Sequence, residues 1–152
     1  MSTVSEIMSH HEPWTVKAHS NNTAHHVATI LTKHRIGSVL VIDKDVTPIG
    51  IITERDLVKR VCLESLNACK VLVEDIMSSP LITIMAYDSV DTASRIMISN
   101  KIKRLPVIES DNRIIGIISV TDITRNLAKI LLDDYNRHRS LRKILEMNDV
   151  AN

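Results

Sequence analysis

The strongest constraint on the fold of this 152-residue chain is an internal duplication. At an offset of 66 positions, residues 36–45 lie over residues 102–111. The same offset lays Ile49-Gly50-Ile51-Ile52-Thr53-Glu54-Arg55-Asp56-Leu57 over Ile115-Gly116-Ile117-Ile118-Ser119-Val120-Thr121-Asp122-Ile123. Ten of the 27 positions from Ile30 to Asp56 are identical to their counterparts, and several others exchange like for like. Upstream, Glu6-Ile7-Met8-Ser9 echoes Asp75-Ile76-Met77-Ser78 after a small gap. A period of this size marks a repeated supersecondary unit. Neither copy, at about 60 residues, buries enough surface to stand well alone, so the two must stack.

Each copy is patterned in the same way. A short helix is expected at Ile7-Met8 or Ile76-Met77, then an extended piece near Thr15-Val16 or residues 82–84. An amphipathic helix follows, marked by Ala24, Val27, Ala28, Ile30 and Leu31 in copy one. Val90, Ala93, Ile96 and Met97 mark it in copy two. Two apolar strands come next, at 39–42 and 49–52 and at 105–108 and 114–118, each pair joined by a polar hairpin turn. Such continuous apolar strands predict a sheet covered by helices. A second helix starts at Thr53 or Ser119. The chain divides into repeat one (1–62), a linker (63–72) that begins as helix and ends as loop, repeat two (73–128), and a C-terminal helix and tail (129–152). That last helix carries Ile130, Leu131, Tyr135, Leu141, Ile144 and Leu145 and has no counterpart in copy one.

Composition removes several function classes. Nineteen Lys and Arg against eighteen Asp and Glu give a net charge of +1, which argues against a chain built mainly to grip nucleic acid or anionic membrane. Three Gly exclude a glycine-rich phosphate loop. Two Cys are too few for a disulfide framework and lack metal-site spacing. With no signal-like or membrane-length apolar run, a soluble cytoplasmic protein is expected. No nucleophile elbow or zinc signature is present, so catalysis is not expected.

The chemistry is concentrated in Thr53-x-x-Asp56 and its repeat Ser119-x-x-Asp122, each directly after an apolar strand. A hydroxyl followed three residues later by a carboxylate at a helix start is close to a capping box, with the acid favoured by the helix dipole. The same geometry serves a ligand: free N–H groups face a phosphate, and the carboxylate can accept two ribose hydroxyls. Arg55 is either a phosphate partner or a solvated charge.

These residues, with Asp75-Ile76-Met77 and Leu105-Pro106-Val107-Ile108, resemble the cystathionine β-synthase (CBS) domain. The tandem pair resembles a Bateman module, a stand-alone regulatory protein, over residues 4 to about 128. Copy one departs in having Leu40 where copy two has Pro106, and in a longer insert at residues 9–12. The resemblance implies an α+β fold of two β-α-β-β-α repeats packed sheet to sheet with pseudo-two-fold symmetry, plus a C-terminal helix. It also implies a non-catalytic regulatory module that binds AMP, ADP, ATP or S-adenosylmethionine between the copies, sensing energy or metabolite state. One cleft would use Thr53, Arg55, Asp56 and Ile51, closed by Met77, Leu81, Ile82, Ile102 and Lys103. The other would use Ser119, Asp122 and Ile117, facing Met8, Thr15, Val16, Ile36 and Gly37. Lys103 and Arg104 could reach phosphates. The clefts differ, because Arg55 has no cationic equivalent at Thr121, and this favours the Asp56 cleft.

Other signals have plainer readings beside them. His10, His11, His19, His25, His26 and His34 crowd the first 34 residues but show no metal-ligand spacing, so surface or phosphate-rim roles are expected and no metal. Trp14 fits packing between the copies or stacking on adenine. Cys62 and Cys69 are read as inert thiols on one helical stretch. Arg137, His138, Arg139, Arg142 and Lys143 form a basic face balanced by Asp133 and Asp134. Its apolar side is expected to pack across a homodimer, with an effector protein unknown. A ligand-free dimerisation module and a nucleic-acid-binding tail are the alternatives.

Overall fold

The structure, a computed structural model, describes residues 2–8 and 16–149. Its elements run α1 (Val4–Ile7), β1 (Lys17–His19), α2 (Ala24–His34), β2 (Ser38–Ile42), β3 (Pro48–Thr53) and α3 (Glu54–Leu57), which passes into a π-helical turn over Val58–Cys62. Then come α4 (Val73–Ile76), β4 (Ile84–Met85), α5 (Val90–Asn100), β5 (Arg104–Ile108), β6 (Ile114–Ser119) and α6 (Val120–Asp149). Two three-stranded sheets result, ordered β1-β2-β3 and β4-β5-β6. In each, the first strand runs parallel and the last antiparallel to the middle one. The fold is α+β.

The duplication reaches the backbone. The register breaks between Val41 and Ile42 and again between Val107 and Ile108. Helices α2 and α5 both start on a hydroxyl cap: the Thr23 side chain accepts from the His26 amide at 3.2 Å, and the Ser89 side chain from the Thr92 amide at 3.1 Å. Both helices end on a left-handed residue, Arg35 (φ 53°) or Lys101 (φ 54°), whose amide closes back on the last turn. Strand propensity and burial agree in β2, where all five residues are buried. The Leu40/Pro106 difference has a local reason. Leu40 pairs with Lys17, whereas β4 is a residue shorter and begins only at Ile84, opposite Val107, so that Pro106, with no N–H to give, has no partner on that strand.

Each sheet packs helices on one face. Val27, Leu31, Val39, Val41 and Ile52 centre the first core, and Ala93, Met97, Leu105, Val107 and Ile118 the second. Leu40, Ile42 and Pro106 belong to neither core, yet are buried. Strand alternation turns them to the faces opposite the two cores.

The short helices are exchanged between the repeats, which the pattern reading did not anticipate. Val4 and Met8 lie in the second core, and Val73 and Ile76 in the first. The N–H groups of Val4 and Ser5 donate to Asp88 and Ala86 carbonyls at 2.8 and 2.9 Å. Those of Val73 and Glu74 donate to Asn22 and Ser20 at 2.8 and 3.0 Å. A one-turn helix cannot satisfy its own N-terminal amides, so the other repeat does.

Two local expectations need correction. The extended pieces fall slightly later than read, at Lys17–His19 and Ile84–Met85. The linker does not begin as helix: the π-turn stops at Cys62 and gives way to turns, so Cys62 and Cys69, both exposed, share no helix. The helix after Ser119 and the C-terminal helix are one unbroken 30-residue element. Thr15, with His10, His11 and Trp14, lies outside the described residues.

Candidate functional site

Both acidic positions cap a helix, and both capping boxes close. The Thr53 amide and hydroxyl donate to Asp56 Oδ2 at 2.8 and 3.0 Å, while the Asp56 amide donates to Thr53 Oγ1 at 3.2 Å. In repeat two the Ser119 amide and hydroxyl reach Asp122 Oδ2 at 2.8 and 2.7 Å, answered by the Asp122 amide at 3.2 Å. One carboxylate oxygen in each repeat is thus committed to folding.

The other oxygens differ. Asp56 Oδ1 lies 3.4 Å from Ser78 Oγ, which donates to it, and 3.8 Å from Arg60 Nε. Asp122 Oδ1 lies 3.5 Å from Arg125 Nη1, and its residue is 5% exposed. Asp56 therefore looks across a seam between elements, and Asp122 looks along its own helix.

The seam is made by the exchanged helix α4. Ile51 and Ser78 form an isolated antiparallel bridge, Ile51 N–H to Ser78 O at 3.0 Å and Ser78 N–H to Ile51 O at 2.8 Å. Arg60 locks the same segment by donating from Nη1 to the Ile76 and Met77 carbonyls, each at 2.9 Å. These carbonyls sit at the end of α4, where a cation is favoured. Met77 lies on Gly50 so closely that a Cβ there would stand 2.6 Å from its sulfur and 3.0 Å from the Ser78 carbonyl. Met8 lies on Gly116 in the same way, 2.9 Å from a Cβ. The glycine opening each Gly-Ile-Ile motif thus lies under the exchanged methionine, and at Gly50 the Ser78 backbone closes in as well.

Thr53, Asp56, Ile51 and Met77 are brought together here, with Arg55 exposed on the first turn of α3. Leu81 is half-buried and Ile82 exposed, in the segment leading to β4. Ile102 packs on the second core, and Val16 and Ile36 on the first. Lys103 is exposed, its carbonyl accepting from Val120 N–H at 3.0 Å. Arg104 is cross-strand to Ser119, and its guanidinium lies against Gly37, so it joins the Ser119–Asp122 end to repeat one. Ile117 is half-buried on β6. Sequence reading missed Ser78 and Arg60 as site residues. Ser78 was visible in the repeated Ile-Met-Ser motif, and Arg60 sits one helical turn after Asp56. Arg60 also lines an open cavity of about 490 Å³ with Lys59, Glu64, Leu66, Lys70 and Asp75. Among the described residues no His, Cys, Asp and Glu group is placed to hold a metal ion.

Two copies of one α+β unit, joined by exchanged helices and each ending in a capped acid, match the CBS domain profile at residues 4–62 and 73–129. The chain belongs to the CBS domain family. An uncharacterised protein of Methanopyrus kandleri, MK0525, is 41% identical over 101 residues, 66% of this chain and 52% of that protein. The chain thus spans about half the length of that curated relative. Among solved structures, the CBS domain pair of protein MJ0100, in complex with 5-methylthioadenosine and S-adenosyl-L-methionine, is 30% identical with a TM-score of 0.73. The match covers 85% of this chain and 98% of that one. A signal-transduction protein with CBS domains from Burkholderia ambifaria, described as putative, is 27% identical with a TM-score of 0.75, covering 83% and 93%. No helix among the described residues is long and apolar enough to cross a membrane.

Proposed function

We propose that the CBS pair senses an adenosine-containing ligand (AMP, ADP, ATP or S-adenosylmethionine) at the seam beside Asp56. The observation carrying this reading is the division of labour within one carboxylate. Asp56 Oδ2 is held in the capping box, which fixes the orientation of Oδ1, and Oδ1 points to Ser78 on the exchanged segment. An oriented acceptor at a junction of two repeats is what a ribose diol needs. Ile51 and Met77 offer apolar surface for the base, and Arg55 a cation for phosphate. At the second cleft Ser119 and Asp122 would hold the sugar, with Arg104 supplying charge. The adenosine ligands of the MJ0100 pair support the same ligand class. Such metabolites are cytoplasmic, and so is the module on this reading. Its output passes through a second copy of the chain, paired through the repeats and α6, and through an effector protein.

The test is ligand-dependent thermal stabilisation of the parent, Asp56→Ala and Asp122→Ala. At a ligand concentration 100-fold above Kd, binding adds about 2.7 kcal/mol, or roughly 5–11 °C for a chain of this size. Asp56→Ala is expected to abolish the shift, and Asp56→Asn, which keeps an acceptor for the cap, to weaken it. If both Ala variants melt lower without ligand yet keep the full shift, the acids are caps only and the sensor reading fails.

A further inference from the structure

The two repeats part after their capped acids. In repeat two the helix runs on unbroken as α6. In repeat one α3 passes into the π-helical turn, and the chain then folds back through turns towards α4. The Leu63 amide closes on the Val58 carbonyl and the Leu66 amide on the Val61 carbonyl, each at 3.0 Å. The returning segment is fixed too. Its Ala68 and Val71 carbonyls accept the His25 and Ala24 amides of α2 at 3.0 and 2.9 Å. Two held walls therefore enclose the cavity of about 490 Å³ beside Arg60. At the 66-residue offset Lys59, Arg60, Glu64 and Lys70 become Arg125, Asn126, Ile130 and Asn136, which lie along one straight helix rather than on two facing walls. π turns are rare and gather at functional sites.

The cavity is charged and its charges are unspent. Lys59, Arg60 and Lys70 face Glu64 and Asp75, three cations against two acids, for a lining charge of +1. Among the described residues Lys59, Lys70, Glu64 and Asp75 form no ion pair. Opposite charges that share a cavity without neutralising one another leave the cations open to an incoming anion. Arg60 is committed on one side only. Its Nη1 holds the Ile76 and Met77 carbonyls and its Nε stands 3.8 Å from Asp56 Oδ1, while Nη2 donates to nothing among the described residues. Beneath these groups Ile76 is buried and Val71 half-buried, an apolar floor for a carbon skeleton.

We propose that this linker cavity binds a small organic polyanion, a polycarboxylate or a phosphate ester, on Lys59, Arg60 and Lys70, and that Arg60 carries its occupancy to the Asp56 seam. A guanidinium presents donors along two edges, so one side chain can grip an anion and the α4 carbonyls together. Glu64 and Asp75 oppose the anion and keep its affinity modest. The site is separate from the ribose-binding position proposed above and does not depend on what binds there.

The test is isothermal titration of the full chain with citrate and with glucose 6-phosphate at constant ionic strength. At least one is expected to bind saturably, once per chain, and the tighter of the two names the source of the anion. Lys59→Gln with Lys70→Gln, exposed changes checked by circular dichroism, should weaken binding at least tenfold. Glu64→Gln with Asp75→Asn should tighten it about two- to fivefold. At ten times Kd the bound anion should slow hydrogen exchange at the Ser78 amide about tenfold in the parent, and leave it unchanged in the double Lys variant. Heats that never saturate, or equal binding by the double Lys variant, would overturn the site. Saturable binding with no change at Ser78 would overturn the role given to Arg60. Asp56→Ala should still bind the anion, whether or not it loses the nucleotide.

Discussion

Replacing Gly50 by Ala tests whether the exchanged helix rests on the strand as tightly as the geometry says. The new methyl would stand 2.6 Å from Met77 Sδ, 3.1 Å from Met77 Cγ and 3.0 Å from the Ser78 carbonyl oxygen. The thioether can swing aside, but the carbonyl cannot. It accepts from Ile51 N–H at 3.0 Å, and the neighbouring Ile76 and Met77 carbonyls are held by Arg60. Overpacking of this kind costs about 1–3 kcal/mol. Weakening the Ile51–Ser78 bridge adds about 1 kcal/mol, against a gain of about 0.4–1 kcal/mol from restricting the unfolded chain. The net loss expected is about 2 kcal/mol, a fall in Tm of roughly 4–8 °C. Gly116→Ala is the internal control. Its methyl would meet only Met8 side-chain atoms, at 2.9, 3.4 and 3.9 Å, so the loss should stay below about 1 kcal/mol. Differential scanning calorimetry of both variants decides the matter. Equal losses, or a Gly50→Ala melt within about 1 °C of the parent, would refute the claim that the backbone bridge sets the cost.

Thr23→Ala and Ser89→Ala each remove the side chain that accepts from the third helical amide, and each should cost about 1 kcal/mol by urea midpoint. A much larger loss at one cap would show that the duplicated helices are not equivalently held. Arg60→Ala removes two donors to the end of α4 from a side chain that is 43% exposed. With solvent screening the expected loss is about 1 kcal/mol, accompanied by faster hydrogen exchange at the Ser78 amide. Unchanged exchange there would mean that Arg60 does not hold the seam.

The secondary structure was legible because it depends on local periodicity and punctuation. The strands and the hairpins follow from alternation and turn residues that repeat at 66 positions. The capping role of Asp56 and Asp122 was legible for the same reason, since the partners are three residues apart. What the second oxygen of Asp56 faces was not: Ser78 is 22 residues away, and only tertiary packing brings it to 3.4 Å.

Sequence alone determined that two like units exist and which faces they must bury, because burial patterns are written residue by residue. Tertiary structure decided which unit each short helix serves. One-turn helices are too short to hold together by themselves, so they go wherever free carbonyls and a core wall are offered, and here that is the opposite repeat. Tertiary structure also decided that α6 runs on unbroken past the last core contact. A stripe of leucines reads the same in sequence whether its cover lies within the chain or outside it, and only the packed molecule shows that nothing among the described residues covers it.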